Sequence, residues 1–360
     1  MLKHSDRPLV QVYDLAILDL DGVVYIGPDA VPGAAEHLAE VRKVLHVAYV
    51  TNNASRTPDS VADHLRELGI EVADEDVVTS AQAAARLLAE RVPAGSAVFV
   101  IGGRGLEVAL DELGLRPVQD RDGGPAAVVS GFSADLRWGT VIEGAILVRE
   151  GLPWVASNTD LTVPTPNGPG PGNGALVGAV ARFAGRDPVV AGKPEPPLLE
   201  ETRRRVGGER PLVVGDRLDT DILGARRVGY DSLLVTTGVT GLPELVAAPE
   251  ELRPSYVGSD LGALTRRHPA PVEDDAGFRS GCWRAEVRDD VLTVSRVEDG
   301  EDGGGGEDGD QDGGEDGGQD GGQDADAWWR VVAAAAWRHQ DTAGRAPDLG
   351  DLRAPGNVAP

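Results

Sequence analysis

The chain has 360 residues, enough for two or three domains, and 41% of them are hydrophobic although only 4% are aromatic. Its formal net charge is −25 without a basic patch, which argues against nucleic acid and anionic membranes as partners. Cys282 is the only cysteine, which excludes an intramolecular disulfide and zinc sites built on cysteine pairs. The N-terminus lacks the apolar core of a signal peptide and no apolar run reaches about 18 residues, so we expect a cytoplasmic protein.

Short apolar runs alternate with amphipathic segments from Leu15 to about Leu264. The predicted strands are Leu15–Leu18, Val44–Val50, Ala97–Ile101, Ala126–Val129, Trp154–Ala156, Val189–Val190, Leu212–Val214 and Ser232–Val235. The predicted helices are Ala34–Arg42, Thr57–Leu68, Thr79–Arg91, Leu106–Leu113, Asp135–Arg149, Ala175–Phe183, Pro196–Arg205 and Thr220–Val228. Short apolar strands separated by helices predict parallel sheets covered on both faces, which is an α/β fold.

The pattern changes after about Leu264. Cys282–Val287 and Val291–Arg296 both alternate with a period of two residues, and Asp289 and Asp290 stand between them. Two alternating strands around a short polar turn predict a β-hairpin.

The C-terminal part begins with an acidic, glycine-rich stretch. Residues 298–326 contain thirteen acids and no lysine or arginine, so charge repulsion and the lack of apolar surface predict a disordered linker. An Ala- and Trp-rich helix is predicted over Ala327–His339. We expect Trp328, Trp329 and Trp337 to pack against the hairpin.

Two acids stand where the first predicted strand ends, in the stretch LDLDGVVYIG. Asp19 and Asp21 lie two positions apart and a glycine follows directly. Carboxylates beside a backbone carbonyl suit Mg²⁺, which binds a few carboxylates together with water and substrate phosphate. A tight turn is the alternative, whereas an EF-hand loop is excluded because its fifth and twelfth positions fall on Val23 and Ala30. The pair alone leaves a turn and a cation site open.

Polar residues also follow the second predicted strand, in the stretch TNNASRT. The hydroxyl of Thr51, the amides of Asn52 and Asn53 and the exposed backbone N–H groups can hold a phosphate without a fixed charge. The alternative is a helix N-cap, with Ser55 or Thr57 beginning the next helix and a proline just inside it. Both roles fit at once, with Thr57 as the cap and Thr51 and Asn53 as binding residues.

Two later stretches carry further charged residues. Lys193 stands between a glycine and a proline in VVAGKPEPP, a rigid setting that favours a fixed cation over a surface lysine. Asp216 ends another apolar strand and is followed by Asp219 and Asp221. Three acids again indicate a cation site, although acids at a helix N-terminus also complement the helix dipole. Of these three acids, Asp219 is the best candidate for a role in helix capping alone.

In this order, the four stretches resemble the four motifs of the haloacid dehalogenase phosphatase superfamily: Asp-x-Asp-Gly, a Thr, a Lys, and Gly-Asp-x₄-Asp. DLDGVVYIG, TNNASRT, AGKPEPP and GDRLDTDI resemble more narrowly the branch with nitrophenyl-phosphatases, phosphoglycolate phosphatase and pyridoxal phosphatase. This resemblance implies a Rossmann-like, doubly wound parallel-sheet core over residues 1–78 and 187–264. It also implies an α/β cap over residues 79–186. Beyond these lies a C-terminal hairpin-plus-helix extension over residues 265–297 and 327–345.

The resemblance implies a magnesium-dependent phosphomonoester hydrolase. Asp19 is then the nucleophile that forms an aspartyl-phosphate, and Asp21 the general acid and base. Mg²⁺ is then bound by Asp19, the carbonyl of Asp21 and Asp216.

The remaining motif residues receive binding roles from the same resemblance. Thr51, Asn52, Asn53 and Lys193 hold the phosphoryl group, with Lys193 neutralising charge in the transition state. Asp221 orients Lys193 or a metal-bound water.

Substrate choice is assigned by the resemblance to the cap, where Asn158, Asp160 and Thr165 match the segment that faces the core. A plain Pro/Gly connector is the alternative for this loop, VPTPNGPGPGNG. The composition and the C-terminal extension resemble actinobacterial members of the branch that act on glycerol 3-phosphate. Phosphoglycolate, pyridoxal phosphate and sugar phosphates are the alternative substrates.

Two hypotheses of other classes remain open at this point. In one, the chain is a regulatory or binding protein whose C-terminal module recruits a partner. In the other, the same residues transfer the phosphoryl group to an acceptor other than water. The resemblance also implies a homodimer formed through the cap.

Overall fold

The computed structural model describes residues 1–163, 165, 167–297 and 317–355, with the side chains of its last helix described from residue 321. Its strands are β1 (Leu15–Asp19), β2 (Tyr25–Ile26), β3 (Asp29–Ala30), β4 (His46–Thr51), β5 (Val77–Thr79), β6 (Ala97–Ile101), β7 (Arg116–Val118), β8 (Ala127–Ser130), β9 (Trp154–Ala156), β10 (Thr162–Val163), β11 (Gly170–Pro171), β12 (Val189–Val190), β13 (Pro211–Gly215), β14 (Asp231–Val235), β15 (Tyr256–Gly258), β16 (Val272–Asp274), β17 (Gly277–Ser280), β18 (Trp283–Arg288) and β19 (Val291–Arg296). Its helices are α1 (Ala34–Val41), α2 (Pro58–Glu67), α3 (Ser80–Ala89), α4 (Arg104–Glu112), α5 (Trp138–Arg149), α6 (Asn173–Ala184), α7 (Pro197–Val206), α8 (Leu223–Val228), α9 (Leu242–Val246) and α10 (Gly317–Ala343).

The core sheet has the strand order β15-β14-β13-β1-β4-β5, and its strands are parallel throughout. β1 lies in the middle, and its side chains alternate between two hydrophobic clusters. Ala16 and Leu18 belong to the cluster that contains α1 and α2, whereas Leu15 and Ile17 belong to the one that contains α3 and α7. A strand that is covered on both faces explains the continuous apolar run in the sequence. The predicted α/β architecture with a doubly wound core is confirmed.

A second parallel sheet, the cap sheet, has the order β12-β9-β8-β6-β7. One of its faces packs with α3 and α4 in the same cluster as β1, and the other face packs on α5 and α6. The second core segment is predicted to begin at residue 187, but β12 (189–190) pairs with β9 of the cap sheet. The chain therefore returns to the core after β12.

The C-terminal extension is a four-stranded antiparallel sheet, β16-β17-β18-β19, packed against α10. Trp328, Trp329 and Trp337 share one hydrophobic cluster with Phe278 and Leu292 of this sheet, as expected from the sequence. The same cluster includes residues of α9 and of the core strands β14 and β15. α10 thus joins the extension to the edge of the core sheet.

Several elements differ from the sequence prediction. α10 begins at Gly317, ten residues before the predicted start at Ala327, so residues 317–326 of the predicted disordered linker are helical. Two acids in residues 317–326 have partners that are distant in the sequence and that composition cannot reveal. Asp324 accepts a hydrogen bond from Arg296, and Asp326 accepts one from Arg266. The linker residues 298–316 lie outside the described residues.

The other differences concern short elements. The predicted hairpin is half of a four-stranded sheet. The strands not predicted from the sequence are β5, β7, β15, β16 and β17, together with the two-residue strands β2, β3, β10 and β11. Strands of two to four residues are too short for periodicity to distinguish them from loops. Among the helices in the described part of the chain, none has both the length and the apolar character that a membrane span needs.

His268 lies fully buried where the chain leaves the core. Its Nε2 is 2.8 Å from the carbonyl oxygen of Ala263, and its Nδ1 has no hydrogen-bond partner among the described residues. Burial lowers the pKa of His268 from 6.5 to about 4. Between these two pH values the unfolded chain takes up a proton at His268 while the folded protein does not, so the free energy of unfolding falls as the pH falls.

We expect His268→Gln to remove part of the acid sensitivity of the fold. The wild-type free energy of unfolding should lose up to about 3 kcal/mol more than that of the variant between about pH 7 and about pH 4. Urea unfolding across this range measures the difference. His4→Gln, at a half-exposed histidine, is the control and should follow the wild-type curve. Identical pH profiles for His268→Gln and wild type would contradict the assignment.

Candidate active site

The motif acids meet at the carboxyl end of the core sheet, where ligands bind in open α/β folds. β1 lies between β4 and β13, with Asp19 in register with Val50 and Leu18 in register with Val214. The strand ends of β1, β4 and β13 therefore bring Asp19, Thr51 and Asp216 to one edge. The predicted clusters are neighbours in space although almost 200 residues separate the first from the last.

Lys193 is the buried cation of this site and is only 2% exposed. Its Nζ lies 2.8 Å from Oδ1 of Asp19 and donates a hydrogen bond of 2.6 Å to Oδ1 of Asp221. Burial by itself lowers the pKa of Lys193, but the charges of Asp19 and Asp221 outweigh burial and raise it above its usual range. The ammonium group is therefore charged and held between two carboxylates.

Asp216 carries the open ligand position of the site. It is fully buried, its Oδ2 accepts a hydrogen bond of 2.7 Å from the backbone N–H of Val239, and its Oδ1 has no partner among the described residues. Burial, and then the charges of Asp221 and Asp19, raise the pKa of Asp216 well above its usual range.

Asp216 also belongs to a group of three acids. One ligand atom each of Asp19, Asp216 and Asp221 lies within 4.8 Å of the others. Clustered carboxylate oxygens, one of them unpartnered, fit a hard divalent cation such as Mg²⁺.

Two glycines make room for the Asp216 carboxylate. A Cβ added at Gly22 or at Gly238 would collide with Oδ2 of Asp216. Gly22 also has a φ of +86°, which disfavours any side chain. The hydroxyl of Thr237 donates a hydrogen bond of 2.7 Å to the carbonyl oxygen of Gly22, which joins the two glycine segments. The close approach of the three chain segments thus depends on glycine.

Asp21 follows β1 and is exposed, unlike Asp216. The residue as a whole is exposed, but its carboxyl group is partly shielded from solvent. This shielding, and then the neighbouring charge of Asp19, raise the pKa of Asp21, while a backbone hydrogen bond from Gly27 and the charge of Arg217 oppose this rise. A carboxyl group that keeps its proton more readily than usual can act as an acid.

Asn52 connects the core to the cap and to the segment of Lys193. Its Nδ2 donates hydrogen bonds to Oδ2 of Asp160 (3.1 Å) and to the carbonyl oxygen of Lys193 (3.0 Å), and its Oδ1 accepts one from the N–H of Lys193 (2.8 Å). The amide atoms of Asn52 are therefore engaged with protein groups. Asn52 thus positions Lys193, and the phosphate contact that the sequence predicts for Asn52 stays a prediction.

Asn158 makes a second connection between cap and core. It is 4% exposed, and its Nδ2 donates a hydrogen bond of 2.6 Å to the carbonyl oxygen of Asn52. Its Oδ1 accepts one of 3.2 Å from the N–H of Asp160, and its own carbonyl accepts one of 2.7 Å from Asn173. Asn158 thus holds the loop that carries Asp160 against the end of β4.

The other predicted binding residues lie in different surroundings. Thr51 is buried and its Oγ1 accepts a hydrogen bond of 3.1 Å from the N–H of Asn53. The Oδ1 of the exposed Asn53 accepts from the N–H and the hydroxyl of Ser55, at 2.9 and 2.7 Å. Thr165 is exposed, and its hydroxyl donates a hydrogen bond of 2.6 Å to the carbonyl of Gly168 within its own turn. Within the described residues Thr165 has no hydrogen bond to the core motifs.

Arg217 and the loop of Val239 belong to the site but are not predicted from the sequence. The side chain of Arg217 pairs with Asp219 at 2.8 Å, and its backbone N–H donates a hydrogen bond of 3.1 Å to Oδ2 of Asp221. The hydrogen bond with Asp219 raises the pKa of the Arg217 guanidinium against the effect of burial, and the charges of Asp219 and Asp160 add to this rise. The position of Arg217 directly after Asp216 could have identified it as a site residue from the sequence. Nothing in the sequence identifies the backbone N–H of Val239 in this way.

Two family models match the chain. A model described as haloacid dehalogenase-like hydrolase matches residues 16–116, and a second one, HAD-hydrolase-like, matches residues 190–264. The first match includes the motifs of Asp19 and Thr51 and extends into the cap sheet as far as the start of β7, and the second includes the motifs of Lys193 and Asp216.

Proteins that are similar to this chain in sequence and in structure support the same family assignment. The D-glycerol 3-phosphate phosphatase of Mycobacterium tuberculosis is 45% identical over 297 residues, which cover 82% of each chain. An acid sugar phosphatase of Staphylococcus aureus is 36% identical over 69% of this chain and 95% of its own. A crystal structure of glycerol phosphate phosphatase from M. tuberculosis in complex with magnesium superposes with a TM-score of 0.80 and 38% identity, over 97% of both chains. The chain therefore belongs to the haloacid dehalogenase-like hydrolase family, and it is a phosphatase of that family.

Proposed function

We propose that the protein hydrolyses a small phosphate monoester through an aspartyl-phosphate on Asp19. The observation that carries this proposal is the buried arrangement of Lys193, whose Nζ is 2.8 Å from Asp19 and 2.6 Å from Asp221. A fixed ammonium beside one oxygen of Asp19 orients that carboxylate and attracts the phosphoryl oxygens to it.

The proposed reaction has two steps in which atoms and protons balance. A carboxylate oxygen of Asp19 attacks phosphorus while the bond from phosphorus to the ester oxygen breaks, and Asp21 gives its proton to the departing alkoxide. A water molecule then attacks the phosphorus of the aspartyl-phosphate while the bond from phosphorus to the Asp19 oxygen breaks, and the water gives a proton to Asp21. Inorganic phosphate leaves, and both acids return to their starting states.

The remaining motif residues bind and orient the phosphoryl group. Lys193 neutralises its developing charge, and Thr51 with the backbone N–H groups that follow it contacts its oxygens. Asp19, Asp216 and the carbonyl of Asp21 would hold Mg²⁺. When bound, the cation offsets the repulsion between carboxylates and phosphate. Asp221 holds Lys193 in place.

In the cap we propose unequal roles for the predicted residues. Asp160 reaches the core through Asn52 and lies in the field of Arg217, so it is the residue suited to contact the substrate alcohol. Asn158 is buried with its polar atoms engaged, so it is a positioning residue. Thr165 is a solvent-exposed residue of the same loop.

Glycerol 3-phosphate is the proposed substrate. The D-glycerol 3-phosphate phosphatase aligns over 82% of this chain, whereas the acid sugar phosphatases align over 69%. The match to the glycerol 3-phosphate phosphatase is therefore longer than the part of this chain that aligns with the sugar phosphatases. A sugar phosphate is the second candidate, because these relatives are 36% identical over that part.

Cellular location and assembly are predictions of the same proposal. A cytoplasmic enzyme agrees with small phosphorylated metabolites as substrates. A homodimer through the cap agrees with the exposure of Trp138, Ile142 and Phe183 on α5 and α6.

We expect Asp19→Asn to lower kcat by at least about 10⁴-fold, because an amide oxygen is a poor nucleophile. Far-UV circular dichroism and the urea midpoint should stay near wild type, since the amide oxygen still accepts a hydrogen bond from Lys193. Asp219→Asn is the matched control, at an exposed acid that pairs with Arg217. Near-normal turnover by Asp19→Asn, or equal inactivity of both variants, would sink the covalent mechanism.

We expect Gly238→Ala to weaken the use of Mg²⁺, because the added methyl group must displace the Asp216 carboxylate. The Mg²⁺ concentration for half-maximal activity should rise by about 10–100-fold. Gly178→Ala makes the same change in α6, where the added Cβ meets open space, and should behave as wild type. Equal Mg²⁺ dependence of the two variants would show that Asp216 is not a ligand.

Phosphate release from a panel of esters tests the substrate. Glycerol 3-phosphate, glucose 6-phosphate, phosphoglycolate and pyridoxal phosphate are each assayed with Mg²⁺ and with a chelator. We expect the highest kcat/KM for glycerol 3-phosphate and loss of activity with the chelator. A higher value for glucose 6-phosphate selects the second candidate, and no release from any ester rejects the phosphatase proposal.

A further inference from the structure

Arg330 is a buried cation on α10, far along the chain from the motifs. It is only 2% exposed, and its Nε and Nη1 have no hydrogen-bond partner in the part of the chain that the structure describes. Burial lowers the pKa of Arg330 to about 10, with Asp326 opposing this change and Arg266 adding to it. The guanidinium therefore stays charged at neutral pH in a place where a charge without a counter-ion is costly.

The neighbouring acids are already committed to other cations. Oδ2 of Asp326 accepts a hydrogen bond of 2.7 Å from Arg266, while its Oδ1 accepts from the N–H and hydroxyl of Ser259 and, at 3.2 Å, from Arg266. Asp324 accepts one of 2.5 Å from Arg296 and one of 2.8 Å from the thiol of Cys282. Neither acid forms an ion pair with Arg330.

A cavity of about 500 Å³ lies beside Arg330, between the start of α10 and the C-terminal sheet. Its wall includes Arg296, Gly281, Gln323 and Asp324. Because Arg296 is paired with Asp324, Arg330 supplies the positive charge of this wall that has no ion-pair partner among residues 1–297 and 317–355 as described. The volume is sufficient for an anion and its water molecules.

We propose that this cavity binds a phosphate group, with Arg330 as its counter-charge. A guanidinium presents N–H donors in a fork that matches phosphate oxygens. The Nε2 of Gln323 on the same wall donates one hydrogen bond, of 3.2 Å, to the carbonyl oxygen of Arg267, and its second N–H can serve as a further donor. A solvent-filled cavity without an anion would leave the Arg330 charge in an unfavourable place, where an apolar residue would fill the interior better. The family reaction releases inorganic phosphate, so this ion and phosphorylated metabolites are the two sources of the group.

Equilibrium dialysis of the full chain with inorganic phosphate tests the proposal, in the presence of a chelator and at constant ionic strength. We expect wild type to bind one phosphate more than Arg330→Met. Arg338→Met is the matched control, because Arg338 is a half-exposed arginine two turns further along α10, and it should bind as wild type. Equal phosphate stoichiometry and affinity in Arg330→Met and wild type would overturn the proposal.

Thermal unfolding gives a second readout. Phosphate should raise the Tm of wild type and Arg338→Met, and it should leave that of Arg330→Met unchanged. An equal rise with chloride at the same ionic strength would overturn the proposal, since it indicates general screening. A larger rise with glycerol 3-phosphate than with inorganic phosphate identifies a phosphate ester as the source.

A variant of a second residue of the cavity wall keeps the test decisive if Arg330→Met does not fold. Gln323→Glu places a carboxylate on the same cavity wall with almost no change in volume. Because the new charge competes for Arg330, we expect at least about tenfold weaker phosphate binding, which corresponds to 1.4 kcal/mol. Unchanged binding by Gln323→Glu would count against the site.

Discussion

The contact between the Lys193 ammonium and two carboxylates is the interaction on which the catalytic end of the molecule depends. A lysine that is 2% exposed is unfavourable in a protein interior unless opposite charges offset its desolvation, and Asp19 and Asp221 do so at 2.8 and 2.6 Å. The three residues come from β1, from the chain segment that returns from the cap, and from the turn after β13. Their pairing therefore fixes that segment against the core, and Asn52 reinforces it through the backbone of Lys193.

Whereas the Lys193 contact brings opposite charges together, the close packing around Asp216 brings like charges together. Three carboxylates gather within 4.8 Å, and glycines at positions 22 and 238 allow this approach. Repulsion between like charges and the unpartnered Oδ1 of Asp216 disfavour the arrangement in the protein alone. Such a local cost is typical of a site that is built for a cation, because binding of the cation relieves it.

The C-terminal extension is part of the same folded unit as the edge of the core sheet. α10 lies between the antiparallel sheet and β15 and shares a hydrophobic cluster with Leu234 and Val257, so it covers one face of the core sheet at β14 and β15. Trp328 and Trp329 provide the apolar contact. The ion pair of Arg266 and Asp326, buried beside this contact, adds a directional link between core and extension.

The sequence by itself determined the α/β architecture, the order of the motif acids and the packing of the tryptophan helix on a hairpin. These features depend on local patterns: apolar runs such as that of β1, and acids placed where strands end. Only the tertiary structure decided that β12 joins the cap sheet, that Asn52 holds Lys193, that residues 317–326 are helical and that Arg330 lies beside a cavity. The physical reason is that each of these depends on partners distant in the chain. Periodicity reports whether a residue is buried, but it does not report which residue covers it.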